Sequence, residues 1–221
     1  MVPDTNELKF LRYSICVSGA AGGSTVAHAS KLAEEVGRSI AKAGHIITTG
    51  ATIGLPFFAA QGAKDVGGTS VGFSPAKSLL EHVHKYRLPY NVFDFINFTG
   101  LHYVGRDMYL VQSSDAVITI GGRFGSLHEF TSTLESGKPC GVLLGSGGVA
   151  DLIPKLMETL ELKGRESSLV VYESDPARLV AKVVEMLDKH YAELRKELRN
   201  HDAHWFLRGA HQNGVRDDRA G

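Results

Sequence analysis

The stretch "AVITIGGRFGSLHEF", residues 116–130, changes character twice. Ala116-Val117-Ile118-Thr119-Ile120 is a short apolar, β-branched run, the composition of a strand buried on both faces. Gly121 to Ser126 is a turn crowded with glycine, and Gly125 to Glu135 has the length and period of a helix. Strand, tight turn and helix in that order form the repeating unit of a parallel sheet with helical crossovers.

The same unit recurs on both sides. Before it, the pattern predicts strands at Tyr13–Val17, His45–Thr49, Ser70–Phe73 and Val92–Phe95. Helices are expected from Ser24 to about Ala43, from Gly54 through Lys64, from Ala76 to Lys85 and from Leu101 to Ser113. After it come a strand at Cys140–Leu144, a helix at Val149–Leu160, a strand at Leu169–Tyr172 and a long helix from Pro176 to about Leu198. Gly44 and Gly137-Lys138-Pro139 supply helix stops. The expected fold class is α/β, a single doubly wound, mostly parallel, Rossmann-like sheet with helices on both faces. It fills one domain over residues 1–199, with a polar, weakly ordered tail over 200–221.

Composition narrows the function. Lysine plus arginine (24) equals aspartate plus glutamate (24) in 221 residues, so the formal net charge is zero. A general nucleic-acid or anionic-membrane binder needs an excess of positive charge, so neither partner is expected. The N-terminal Met1-Val2-Pro3-Asp4 lacks the basic start and apolar core of an export signal, and no apolar run approaches the ~20 residues that cross a bilayer. A soluble, cytoplasmic protein is expected, with Cys16 and Cys140 as buried thiols on strands. His201, His204 and His211 in the tail lack a partner set, so no metal site is assigned.

Ligands of open parallel sheets bind beyond the carboxyl ends of the strands. Three glycine-rich turns fall there: Ser18–Ser24, Gly50–Gly54 and Gly121–Ser126, each leading into a helix. Glycine lets backbone approach an anion closely, and the first turn of a helix offers unpaired amides along a favourable dipole. The candidate phosphate-binding set is Ser18, Gly19, Gly22, Gly50, Gly54, Gly121, Gly122, Arg123, Gly125 and Ser126. The first turn, Gly19-Ala20-Ala21-Gly22-Gly23, lacks G-x-G-x-x-G spacing, and no G-x-x-x-x-G-K-[ST] loop occurs. Hydride transfer and ATP hydrolysis lose support accordingly.

Two charged residues flank the fifth strand. Glu129 lies one turn into its helix, so it either closes a Ser126-x-x-Glu129 capping box or faces the ligand. Arg106 is either a surface ion pair, with Asp107 for example, or a fork gripping phosphate. Tyr103 and Tyr109 near it are half-buried spacers or stacking surfaces.

Thr99 to Arg106 and Gly125 to Glu129 together resemble the LOG-like family, long labelled lysine-decarboxylase-like. That family includes cytokinin-activating phosphoribohydrolases and molybdenum-cofactor carrier proteins. Arg106 stands nine residues before Asp115-Ala116, as in the family signature, and Gly121 to Glu129 is similar to its P-G-G-x-G-T-x-x-E. Thr49 to Leu55 resembles the T-G-G-G-x-G-[LV] loop, and Gly68 to Pro75 the G-G-x-x-x-G-x-x-P segment, so the likeness covers about residues 12–190. Gly121, Arg123 and Ser126 replace the signature's proline, second glycine and threonine, and Gly121-Gly122 in place of Pro-Gly, with the spacing from Thr99-Gly100 to Arg106, is closer to the carrier branch. Asp107 replaces the lysine that follows the arginine in many phosphoribohydrolases and weakens the positive potential, while Arg123 restores part of it or turns to a partner subunit.

The resemblance implies one of two functions. The first is a binding protein for a nucleotide or phosphorylated pterin, a carrier of molybdenum cofactor among them. The second is a phosphoribohydrolase that splits a nucleoside 5′-monophosphate into base and ribose 5-phosphate, with Arg106 and Glu129 as catalytic pair and no cofactor required. A structural subunit without a small ligand is the third possibility. The family likeness also implies a homodimer, with Phe124, Phe130 and Leu134 as apolar contact surface.

Overall fold

The computed structural model describes residues 12–160 and 165–200. In chain order the elements are β1 (Ser14–Gly19), α1 (Ser24–Lys42), β2 (Ile46–Thr49), α2 (Leu55–Lys64), β3 (Thr69–Ser74), α3 (Leu79–His84), β4 (Phe95–Phe98) and α4 (His102–Gln112). Then follow β5 (Ala116–Ile120), α5 (Phe124–Glu135), β6 (Cys140–Leu143), α6 (Gly148–Thr159), α7 (Arg165–Ser168), β7 (Val170–Glu173), α8 (Pro176–His190) and α9 (Ala192–Asn200). The strands form one seven-stranded sheet in the order β4-β3-β2-β1-β5-β6-β7. Every pairing is parallel.

Burial explains the apolar runs. All five residues of β5 are buried. On one face of β6, Cys140 and Val142 pack with Phe130 of α5 and Ile153 of α6. On the other, a β-carbon at Gly141 would meet Val183 and Leu179 of α8 at 2.8 and 3.3 Å. Helices therefore cover both faces, as expected. Cys16 is level with Val117, and Val117 with Cys140, so the two free thiols stand two strands apart. Two strand spacings are roughly 10 Å, beyond the reach of a disulfide.

Helices α1 and α2 approach by means of glycine. A β-carbon on Gly37 would lie 1.8 Å from the Ala59 carbonyl oxygen, and one on Gly62 2.0 Å from that of Glu34. Both are backbone contacts, so neither neighbour can rotate away.

Two expectations need correction. The fourth strand is Phe95–Phe98 rather than Val92–Phe95. Val92 is buried in the preceding turn, where Asp94 accepts the Ser70 amide at 2.8 Å and pairs with Lys64 at 2.6 Å. The long C-terminal helix is two, broken at Tyr191, and α7 was not anticipated. The chain divides into compact units Met1–Leu187 and Asp188–Gly221, the second holding an Arg195–Asp188 ion pair at 2.9 Å. Apart from Asn200, the expected tail and its histidines lie outside the described residues.

Candidate functional site

The strand order reverses between β1 and β5, whose ends are in register at Gly19 and Ile120. Crevices open at such a reversal because successive crossovers leave in opposite directions. A cavity of about 240 Å³ occupies it, lined by the ends of all three glycine-rich turns: Ser18–Ala21, Gly50 with Thr52, and Arg123 with Gly125 and Ser126. Arg106, Asp107, Tyr103 and Glu129 complete its walls.

Arg106, on α4, is only 5% exposed. It fits because residue 50 has no side chain: a β-carbon on Gly50 would sit 1.5 Å from one Arg106 terminal nitrogen and 2.6 Å from Cζ. The buried cation has a counter-charge in Asp107, whose Oδ1 is 3.3 Å from Arg106 Nε, in ion-pair range but outside hydrogen-bond geometry. His128 Nδ1 stands 3.4 Å from the other Asp107 oxygen. Arg106 is thus paired with Asp107, as one reading allowed, but inside the cavity wall rather than on the surface.

Glu129 is 8% exposed, and its Oε2 accepts a short hydrogen bond from the Ser18 hydroxyl. The capping-box reading fails for a local reason. Helix α5 begins at Phe124, so Ser126 is already inside the first turn, and the residue before the helix is Arg123. The carboxyl is pushed up to about 7, chiefly by burial and next by the Asp107 charge, with which it also shares a hydrogen bond. Arg106 and the Ser18 hydroxyl act the other way.

Of the residues singled out from sequence, Ser18, Gly19, Gly50, Arg106, Arg123, Gly125, Ser126 and Glu129 line the cavity. Gly22, Gly54, Gly121 and Gly122 do not, and three of them shape the turns instead. Gly54 (φ 79°) presses on the backbone of Ala20 and Ala21, where the Leu55 amide donates to the Ala20 carbonyl at 2.8 Å. Gly121 and Gly122 take positive φ of 55° and 92°, and a β-carbon on Gly122 would strike Ser126 Oγ at 2.3 Å. Arg123, at φ −135°, carries no such strain, and its side chain is solvent-exposed at the rim.

Sequence reading passed over the turn after β6. Ser146 Oγ accepts the Gly121 amide at 2.8 Å, while Val149 and Ala150 donate to the carbonyls of Gly122 and Gly121 at 3.0 Å each. This turn clamps the glycine pair from behind. Its own amides at Gly145 and Gly147 are taken by the Asp151 carboxylate at 2.7 and 3.0 Å. It therefore braces the site and already holds an anion of its own. The signal was the run Gly145-Ser146-Gly147-Gly148 with an aspartate three residues on.

The profile of the SLOG cluster4 family matches residues 12–180, which takes in the whole cavity. The chain belongs to the SLOG cluster4 family. This is the LOG-like grouping that the Arg106 and Glu129 motifs pointed to. Two solved structures resemble this SLOG chain over most of its length. The molybdenum cofactor binding protein from the phototrophic bacterium Rippkaea orientalis is 27% identical, with a TM-score of 0.65 over 80% of this chain and 98% of that one. The Moco carrier protein from Chlamydomonas reinhardtii is 27% identical, with a TM-score of 0.66 over 81% and 99%. An uncharacterized protein of Archaeoglobus fulgidus is 33% identical over 110 residues, 49% of this chain and 66% of that relative.

Among the described residues, no group of three or more His, Cys, Asp or Glu side chains is placed to hold a metal ion. Likewise no described helix is long and apolar enough to cross a membrane.

Proposed function

We propose that this SLOG protein binds a phosphate-bearing pterin or nucleotide at the switch-point cavity without turning it over, as a carrier of molybdenum cofactor would. The observation that carries this is the buried Arg106–Asp107 pair seated over Gly50 beneath three turns of amide-rich backbone. Arg106 and Asp107 cancel in charge, and a carboxyl pushed up to about 7 is largely protonated in mildly acidic solution. The floor is then close to neutral, and the phosphate is met by turn amides and Arg123 at the rim. Resemblance to two proteins named for molybdenum cofactor supports the pterin.

The phosphoribohydrolase reading rests on a different fact: a carboxyl titrating near 7 is suited to proton transfer at neutral pH. Against it, stabilising positive charge on a sugar carbon needs an ionised carboxylate facing the sugar, and Glu129 is engaged by Ser18 and Asp107. Protein purified under native conditions is expected to release a phosphorylated pterin or nucleotide identifiable by mass spectrometry. Nucleoside monophosphates incubated with it are expected to stay intact. Release of free base that disappears in a folded Glu129→Ala variant would replace the carrier with the hydrolase.

A homodimer and a cytoplasmic setting belong to the same proposal. Of the three side chains expected at the dimer's contact surface, only Phe124 is exposed. Phe130 is 1% exposed in the core and Leu134 packs against it, whereas Phe124 is 88% exposed; Val104 and Met108 of α4 also face outward. Light scattering should give twice the chain mass of 23.9 kDa; a mass of one chain contradicts the dimer. The free buried thiols fit a reducing compartment.

A further inference from the structure

Tyr103 lines the cavity from the first turn of α4 and keeps 47% of its surface exposed. That is a large area of apolar ring left uncovered at the mouth of a polar site. Its neighbours fix its place. The Tyr86 ring meets it edge to face, with centroids 5.7 Å apart at 82°. The Arg106 guanidinium carbon stands 5.9 Å from the ring centroid. Tyr86 is held in turn, since its hydroxyl oxygen is 2.7 Å from His102 Nδ1. His102 adopts φ 56°, a left-handed conformation that a β-carbon disfavours, while its amide donates to the Pro75 carbonyl at 3.2 Å. The aromatic corner is thus anchored from Pro75, Tyr86 and the start of α4, and one ring of it faces the cavity.

From this corner we infer that Tyr103 is the stacking surface for a planar heteroaromatic ring, so that the site selects phosphomonoesters carrying a purine or pterin over phosphates without a ring. The inference rests on the proposed phosphate seat and adds the second half of the ligand. Glycine turns and Arg123 recognise only the phosphate, which every phosphomonoester has. Selectivity must come from a group that contacts the remainder, and Tyr103 is the exposed aromatic side chain in the cavity wall. A π-face stacks on any flat ring, and the nearby guanidinium, positioned by Asp107, polarises the tyrosine. The geometry therefore favours a flat heterocycle, which offers a π-face, over an aliphatic tail.

Calorimetric titration with GMP and with ribose 5-phosphate tests this. Guanine presents the same 2-amino-4-oxo pyrimidine edge as a pterin, and ribose 5-phosphate is its ringless control. The native protein is expected to bind GMP at least tenfold more tightly than ribose 5-phosphate. Tyr103→Ala should bring GMP down to the ribose 5-phosphate level and leave ribose 5-phosphate unchanged, and Tyr103→Phe should keep the preference. Because Tyr103 is half exposed, both variants should unfold near the native temperature. Equal binding of the two ligands by the native protein, or a preference that survives Tyr103→Ala, overturns the ring site and leaves the phosphate seat standing. Binding of neither ligand overturns both.

Discussion

Replacing Gly50 by alanine adds one methyl group, and its whole effect should fall on Arg106. Gly50 is not among the positive-φ residues, so alanine meets no backbone strain there. Its methyl would instead stand 1.5, 2.6 and 2.9 Å from three guanidinium atoms of Arg106. Ordinary contact begins near ~3.5 Å, so the fork must retreat by about 2 Å. The guanidinium is the far end of a flexible chain and can do so while staying near Asp107. The stability loss should therefore be smaller than the ~3–5 kcal/mol of removing one partner from a buried pair. Positioning is another matter. With the phosphate on turn amides and Arg123, the Arg106 donors lining the cavity are left to the rest of the ligand; withdrawing one charge-assisted hydrogen bond of about 1.5–3 kcal/mol should lower GMP affinity roughly 10- to 150-fold by calorimetry. A double-mutant cycle isolates the cause. If the methyl acts only by moving Arg106, Gly50→Ala should cost nothing further in an Arg106→Ala background. Native affinity in Gly50→Ala, or full additivity with Arg106→Ala, would refute the reasoning.

Three further outcomes follow from single contacts. Glu129 has a folded pKa of about 7 against an ordinary 4.5, so the folded protein holds the extra proton between those values. Stability contributed by the protonated carboxyl is present below about pH 4.5 and is lost as pH rises through about 7. Glu129→Gln should therefore gain in unfolding free energy over the native protein across that window, by up to about 1.4 kcal/mol per pH unit. GMP binding should weaken as pH rises through about 7, where the folded carboxyl becomes charged, and a pH-independent difference between the two proteins would count against it. Lys138 Nζ donates to the carbonyls of Val111, Gln112 and Ser114 at 2.9, 2.8 and 2.7 Å, closing the end of α4. Lys138→Met should cost about 2 kcal/mol, a fall of roughly 4–8 °C in Tm. Gly37→Ala drives a methyl into the Ala59 carbonyl oxygen, and thermal unfolding should show a loss of about 3 kcal/mol.

How much of this could be read in advance depended on whether a signal was local. Central strands such as β5 bury both faces and so appear as unbroken apolar runs. Edge strand β4 is only half covered, and the neighbouring Val92 is buried in a turn, so the apolar pattern pointed three residues too early. The break at Tyr191 carries neither glycine nor proline to announce it. In the site, residue types and turns were legible because glycine followed by a helix start is a short-range pattern. Partners were not: Ser18 and Glu129 are 111 positions apart, and the notch that admits Arg106 is the missing side chain of Gly50. Three residues of helix boundary, from Arg123 to Ser126, separated the capping box from a carboxyl aimed into the cavity.

A crystal structure of the protein with GMP tests the central claim most directly. The phosphate is expected at the β1–β5 reversal, within hydrogen-bond distance of amides in the turns at Gly19–Ala21 and Gly125–Ser126, with Arg123 against it. A phosphate bound elsewhere, or a cavity closed by the protein's own side chains while GMP occupies another face, would contradict it.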